Sequence, residues 1–103
     1  MSTVLAIYRT PKDPAAFARY YAETHAPLAK TLPGLRGYEI SRGPVAALGG
    51  GTDDVHLVAL LSFDSMAAIQ AALASPEGAA TAGDLANFAD GGVELYAFDT
   101  VEA

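Results

Sequence analysis

The chain has 103 residues, of which 51% are hydrophobic and 17% charged, and it carries a net charge of −6. That length fits one domain, 1–103, with ample apolar material for a core, while the acidity argues against nucleic acid and against anionic membrane surfaces. There is no cysteine, hence no disulfide framework and no thiolate chemistry, which fits a cytoplasmic location; the apolar run Val4 to Ile7 is too short for a signal or membrane segment.

Residues 3–9, TVLAIYR, are a short apolar run ending at Thr10-Pro11 and predict a first strand. Asp13 can cap a helix that has Pro14 at its first position. With Phe17 set at zero and about 100° per residue, Tyr20, Tyr21, Thr24, Leu28 and Leu32 fall within about 60° of it and predict the buried stripe. Arg19, Glu23 and Lys30 fall opposite. His25 lands at roughly 80°, on the edge of the stripe. Pro27 interrupts the repeat: it lacks a donor, crowds the Glu23 carbonyl and disfavours helical geometry at Ala26. A broken, loosened turn beside His25 is therefore expected.

Leu32-Pro33-Gly34 ends that element. Residues 35–42 predict a second strand, and 43–54, GPVAALGGGTDD, a loop. Its three glycines are not followed by the Lys-Ser/Thr pair of a phosphate loop. Residues 55–63, VHLVALLSF, predict a strand apolar on both faces. Asp64 or Ser65 can cap the next helix, with Met66, Ile69 and Leu73 on one side. Ser75-Pro76 restarts a short helical segment with Leu85 and Phe88 inward. Asp90-Gly91-Gly92 turns into a last strand, 93–100.

The order β-α-β-β-α-β implies an α+β, ferredoxin-like fold: four antiparallel strands with helices on one face. The other face is polar in a typical monomer. Here both alternating sets of the 55–63 and 93–100 strands are largely apolar, which calls for a second covering layer. A second copy packed sheet to sheet supplies it, giving a homodimer with a barrel-like centre. Tyr8, Tyr38, Tyr96 and Glu94 are assigned to that second face, where a cavity with phenols and a carboxylate would suit a small, partly apolar organic molecule; Tyr21 sits on the helix stripe. Interface packing explains the tyrosines equally well.

The runs YRTPKDPAAFARYYAETHAPLAKTLPGLRGYEI and LASPEGAATAGDLANFADGGVELY resemble the EthD family of the dimeric α/β-barrel superfamily. The Y-R-x-P opening, the F-x-x-Y-Y-x-x-T-H-x-P-L centre and the L-P-G-L-x-x-Y exit carry the resemblance over nearly the whole chain. It implies ferredoxin-like protomers pairing through their sheets, and a part in bacterial breakdown of ethers and other organic compounds. The wider superfamily includes cofactor-free monooxygenases, muconolactone isomerases and haem-degrading oxygenases. The histidine of the T-H-x-P motif maps to His25.

A histidine at the edge of a buried stripe can exchange a proton near neutral pH. One reading is a cofactor-independent isomerase or oxidoreductase with His25 as catalytic acid or base and Tyr8, Tyr21, Tyr38, Tyr96 and Glu94 binding substrate. The alternative is a non-catalytic binding or accessory dimer, with His25 capping a helix break. Two histidines and no cysteine offer no metal-ligand spacing, and no Gly-rich strand–helix turn is present for a dinucleotide, so neither metal nor cofactor is expected. His56 reads as a sheet-edge or interface residue. Asp64, Asp84 and Asp90 read as caps and turn formers.

Overall fold

A computed structural model describes residues 1–50 and 54–103. Strands β1 (Ser2–Arg9), β2 (Gly37–Ile40), β3 (Val55–Phe63) and β4 (Val93–Asp99) form one antiparallel sheet in the order β2-β3-β1-β4. Helical segments α1 (Pro14–Tyr20) and α2 (Ala26–Ala29) lie between β1 and β2, joined by a π-helical turn at Tyr21–His25. Helices α3 (Met66–Ala74) and α4 (Pro76–Phe88) lie between β3 and β4. This is the expected ferredoxin-like fold, with α4 the longer member of its pair rather than a short addition. The glycine loop anticipated at 43–54 falls partly outside the described residues, at 51–53. Among the described residues, no helix is long and apolar enough to cross a membrane.

Side chains of a strand alternate between faces, and residues directly opposite in a ladder share one. On the central strand β1, Ser2, Ala6 and Tyr8 are buried beneath the helices. Ala6 lies opposite Ala59 and Leu95, and Tyr8 opposite Leu57 and Val93. Leu5 lies opposite Leu60 and Tyr96, and Ile7 opposite Val58 and Glu94. The second face thus carries Leu5, Ile7, Val58, Leu60, Tyr96 and Phe98, and among the described residues no helix covers it. Leu60 and Phe98 are each 39% exposed and Tyr96 51%. The doubly apolar sheet is real, but Tyr8 and Tyr38 do not share its open face with Tyr96 and Glu94. The ladder separates them: Tyr8 opposes Val93, and Tyr38 opposes Leu61, a core residue.

Pro27 does not break the helix. Ala26 keeps helical angles (φ −62°, ψ −45°), and its N–H reaches back five residues to the Tyr21 carbonyl. A π turn carries one residue more than an α turn, so everything after it is rotated back by about one residue's 100° step. That rotation takes His25 from the edge of the stripe to its centre. It also brings Ala29 into the core and turns Thr24 and Pro27 out to solvent, leaving Leu28 half-buried. The donor that proline lacks is therefore missing from the solvated side, where water can satisfy the carbonyl left free.

Serines, not aspartates, cap the second helix pair. Ser65 accepts a hydrogen bond from the Ala68 N–H (3.0 Å) and Ser75 one from the Gly78 N–H (3.0 Å), whereas Asp64 pairs with Arg36 at the surface. Ile69, Ala72 and Phe88 are buried as their spacing requires, but Leu73 is 53% exposed. His56 lies beyond the stretch of β3 that pairs with β2, which ends at Ala59. The register shift between Tyr8 and Arg9 skips it on the β1 side, and its ring stands perpendicular to that of Phe17 at 5.1 Å.

Candidate functional site

The side chains brought together between sheet and helices are Tyr8 from β1, Tyr21 and His25 from the π turn, Tyr38 from β2 and Asp84 from α4. His25 is 4% exposed and Asp84 7%. Rings of Tyr21 and Phe88 flank the imidazole, with centroids at 5.3 and 4.6 Å, and Tyr8 stands edge-on to Phe17 and Tyr21. Such packing restricts the rotamers of Tyr8, Tyr21 and His25.

The imidazole has a partner at each nitrogen. Nδ1 lies 3.0 Å from Asp84 Oδ2, and Nε2 lies 3.4 Å from the Tyr8 hydroxyl. An ionised carboxylate can only accept, so Nδ1 carries the proton and Nε2 presents its lone pair toward Tyr8. At 3.4 Å the Tyr8 bond is long, which leaves Nε2 able to take a proton from elsewhere. Burial raises the Asp84 pKa, but donors from Tyr20, Asn87 and His25 together outweigh it and hold the carboxyl below its ordinary value. Tyr21 and Tyr38 share a hydrogen bond of 2.5 Å.

Burial pushes the phenols of Tyr8, Tyr21 and Tyr38 upward. Neighbouring Tyr38 adds to the effect at Tyr8 and hydrogen bonding to Tyr38 adds to it at Tyr21, while the bond from Tyr21 opposes it at Tyr38. All three thus remain hydrogen-bond donors at neutral pH. Because folding raises these pKa values, their contribution to stability is complete below the unfolded phenol value near 10 and is lost as pH rises above it. We expect the urea midpoint to hold level from about pH 7 to 9 and to fall above about pH 10, with Tyr21→Phe flattening that alkaline limb.

Tyr8, Tyr21, His25 and Tyr38 line a cavity of about 80 Å³. Apolar side chains, among them Ala6, Leu32, Leu61 and Phe63, make up most of the rest. Leu73 and Leu95 also line it and are each 53% exposed, so they mark its mouth. A dry cavity near 150 Å³ accommodates benzene; this one takes a smaller group, or the end of a molecule whose remainder extends past Leu73 and Leu95.

Of the residues singled out from the sequence, His25, Tyr8, Tyr21 and Tyr38 meet in this cavity. Glu94 and Tyr96 lie on the open sheet face, where Glu94 pairs with Arg9 and accepts a 3.0 Å bond from the Tyr96 hydroxyl. Arg9 also reaches Asp54 at 3.2 Å. Asp84 is neither a cap nor a turn former but an interior residue of α4. Its signal was its spacing: it precedes the inward Phe88 by four residues, so a carboxylate occupies the buried stripe. Among the described residues, no group of three or more His, Cys, Asp or Glu side chains is placed to hold a metal.

A family model described as the EthD domain matches residues 9–92. An uncharacterized 11.0 kDa protein from the thcB-thcC intergenic region of Rhodococcus erythropolis is 38% identical over 99 residues, covering 96% of this chain and 94% of its own. A crystal structure of an EthD family protein from Bacillus halodurans superposes with a TM-score of 0.87 at 31% identity, over 98% of this chain and 99% of that one. SnoaB, a cofactor-independent oxygenase from Streptomyces nogalater, shares the fold with a TM-score of 0.67 at 22% identity, over 99% and 94% of the two chains. From the match across its central 84 residues, 9–92, and from these relatives, the chain belongs to the EthD family.

Proposed function

We propose that the protein is a cofactor-independent enzyme of small-molecule catabolism that moves a proton on a compact, partly apolar carbonyl compound in the cytoplasm, with His25 as its base. The observation that carries this is the buried imidazole held by Asp84 at Nδ1, with Nε2 beside the Tyr8 hydroxyl and both His25 and Tyr8 lining a small apolar cavity. In such a site Nε2 removes a proton from carbon alpha to a carbonyl. The imidazolium is stabilised by Asp84, and the enolate oxygen by un-ionised phenols of Tyr8, Tyr21 and Tyr38. Return of the proton to a different carbon completes an isomerisation. Reaction of the carbanion with dioxygen instead forms a carbon–oxygen bond, and the peroxide takes the proton back from the imidazolium to give a hydroperoxide, an oxygenation needing no cofactor. The cofactor-independent SnoaB, on the same fold, supports the second outcome as a chemistry this architecture can house.

The test uses exchange of α-hydrogens in D₂O, read by proton NMR with acetone, cyclopentanone and γ-butyrolactone as probes. Catalysed exchange by the wild type that His25→Gln reduces by about 100-fold or more is the expected result. Exchange unaffected by His25→Gln would remove His25 from the chemistry. Saturable binding of the probes without exchange would identify a binding module instead.

The second sheet face supports pairing of two copies. Leu5, Ile7, Val58, Leu60, Tyr96 and Phe98 form an apolar surface that this chain's own helices leave open, and such surfaces in soluble proteins are covered by partners. Sheet-to-sheet packing of a homodimer does so without moving the helices. Leu60→Glu would bury a charge at the centre of that contact; analytical ultracentrifugation is expected to show a dimer for the wild type and a monomer for the variant. A wild-type monomer at micromolar concentration would overturn the pairing.

A further inference from the structure

The two carboxylate oxygens of Asp84 serve different partners. Oδ2 faces His25, while Oδ1 accepts from the Tyr20 hydroxyl at 2.5 Å and from Asn87 Nδ2 at 2.9 Å. Tyr20 and Asn87 do not line the cavity. They line a separate surface groove of about 250 Å³ together with Lys12, Asp13, Phe17 and Phe88, and the groove shares no residue with the cavity. Tyr20 is half-buried, its ring stacked on Phe88 at 5.3 Å, and Asn87 is exposed.

We propose that Tyr20 and Asn87 are positioning residues that set the tautomer of His25 by acting through Asp84; the proposal rests on the reading of His25 Nε2 as the base. A carboxylate rotates readily about its terminal torsion, which is broad and two-fold. Two donors on Oδ1, one from α1 and one from the next turn of α4, pin that rotation and leave Oδ2 aimed at Nδ1. The same two bonds stabilise the ionised carboxylate. This matters because a protonated Asp84 can donate to Nδ1, which moves the ring proton to Nε2 and removes the lone pair at that nitrogen. With the carboxylate ionised and fixed, His25 has one tautomer available. The tautomer of a histidine that lines the cavity is thus governed by two side chains that do not line it.

The test reads the tautomer directly, by two- and three-bond ¹H–¹⁵N correlation of the histidine rings in ¹⁵N-labelled protein at neutral pH. His56 is the only other histidine, so His25→Gln assigns the signals. The wild type is expected to show His25 as the Nδ1–H form. Tyr20→Phe and Asn87→Leu are each expected to shift the tautomer ratio about fivefold toward Nε2–H, and the double variant about tenfold or more. A merely structural role would lower the unfolding midpoint and leave the ratio unchanged. Folded variants with the wild-type ratio would therefore overturn the positioning role while leaving His25 as the base. A wild type in the Nε2–H form would overturn the base reading itself. Asn87 is exposed, so Asn87→Leu keeps the test decisive even where Tyr20→Phe folds poorly.

Discussion

Asp84→Asn should disable the base proposed at His25 with little loss of fold. The amide has nearly the shape of the carboxylate but only one acceptor oxygen. Tyr20 and Asn87 both donate to Oδ1, so the amide oxygen stays with them and its NH₂ turns toward His25 Nδ1. A donor at that position makes Nδ1 the acceptor and moves the ring proton to Nε2, where it faces the Tyr8 hydroxyl. Every buried group remains satisfied, so the stability cost is that of exchanging charge-assisted bonds for neutral ones, about 1–2 kcal/mol. Exchange of probe α-hydrogens should nevertheless fall about 10³–10⁴-fold, because the lone pair that accepts the proton is gone. The acid limb supplies an independent check. Folding lowers the Asp84 pKa, so its stabilisation is present above the unfolded carboxyl value, about 3.9, and is lost as pH falls through the lower folded value. Urea midpoints of wild type and variant should therefore differ most near neutral pH and converge in acid. A constant gap would mean that the Asp84 carboxyl gains nothing from its three donors.

Gly78→Ala should destabilise strongly even though alanine is the better helix former. Gly78 lies in the first turn of α4, directly against the end of α3. A Cβ there would come 2.2 Å from the Ala72 carbonyl oxygen and 2.6 Å from that of Leu73. Both are backbone atoms, and the chain cannot relax locally. Ser75 joins the two helices by donating to the Ala72 carbonyl and accepting from the Gly78 N–H. The helices must separate, which opens the packing of Ile69 and Ala72 and distorts the cavity wall that Gly78 helps to form. We expect a loss of about 3 kcal/mol, against a helix-propensity gain of about 1, and a melting point lower by roughly 15 °C. Gly83, one and a half turns further along α4, provides the control of opposite sign. Nothing lies within 4 Å of its added Cβ, so Gly83→Ala should stabilise by about 0.5–1 kcal/mol. Equal effects at the two sites would remove the close-approach argument.

Local patterns were sufficient for the element order. Asp13-Pro14, Ser65 and Ser75-Pro76 start helices wherever they stand, because a side-chain acceptor meets free N–H groups within three residues of itself. The apolar pattern of β3 and β4 likewise revealed two faces in need of cover. The EthD motifs, read residue by residue, pointed to His25.

Assignment of the faces was beyond the sequence. When both sets of a strand are apolar, alternation cannot say which meets the helices, and only the ladder does. It sent Tyr8 and Tyr38 inward and left Glu94 and Tyr96 on the open side. The π turn was equally hidden, since a constant step of about 100° has no place for an extra residue. That one residue of phase placed His25 at the centre of the core, against Asp84, 59 positions later in the chain. Sequence alone determined the order of strands and helices and singled out His25 as the candidate. Tertiary structure alone decided its partners, because they come from strands and helices distant in sequence whose register is set by packing.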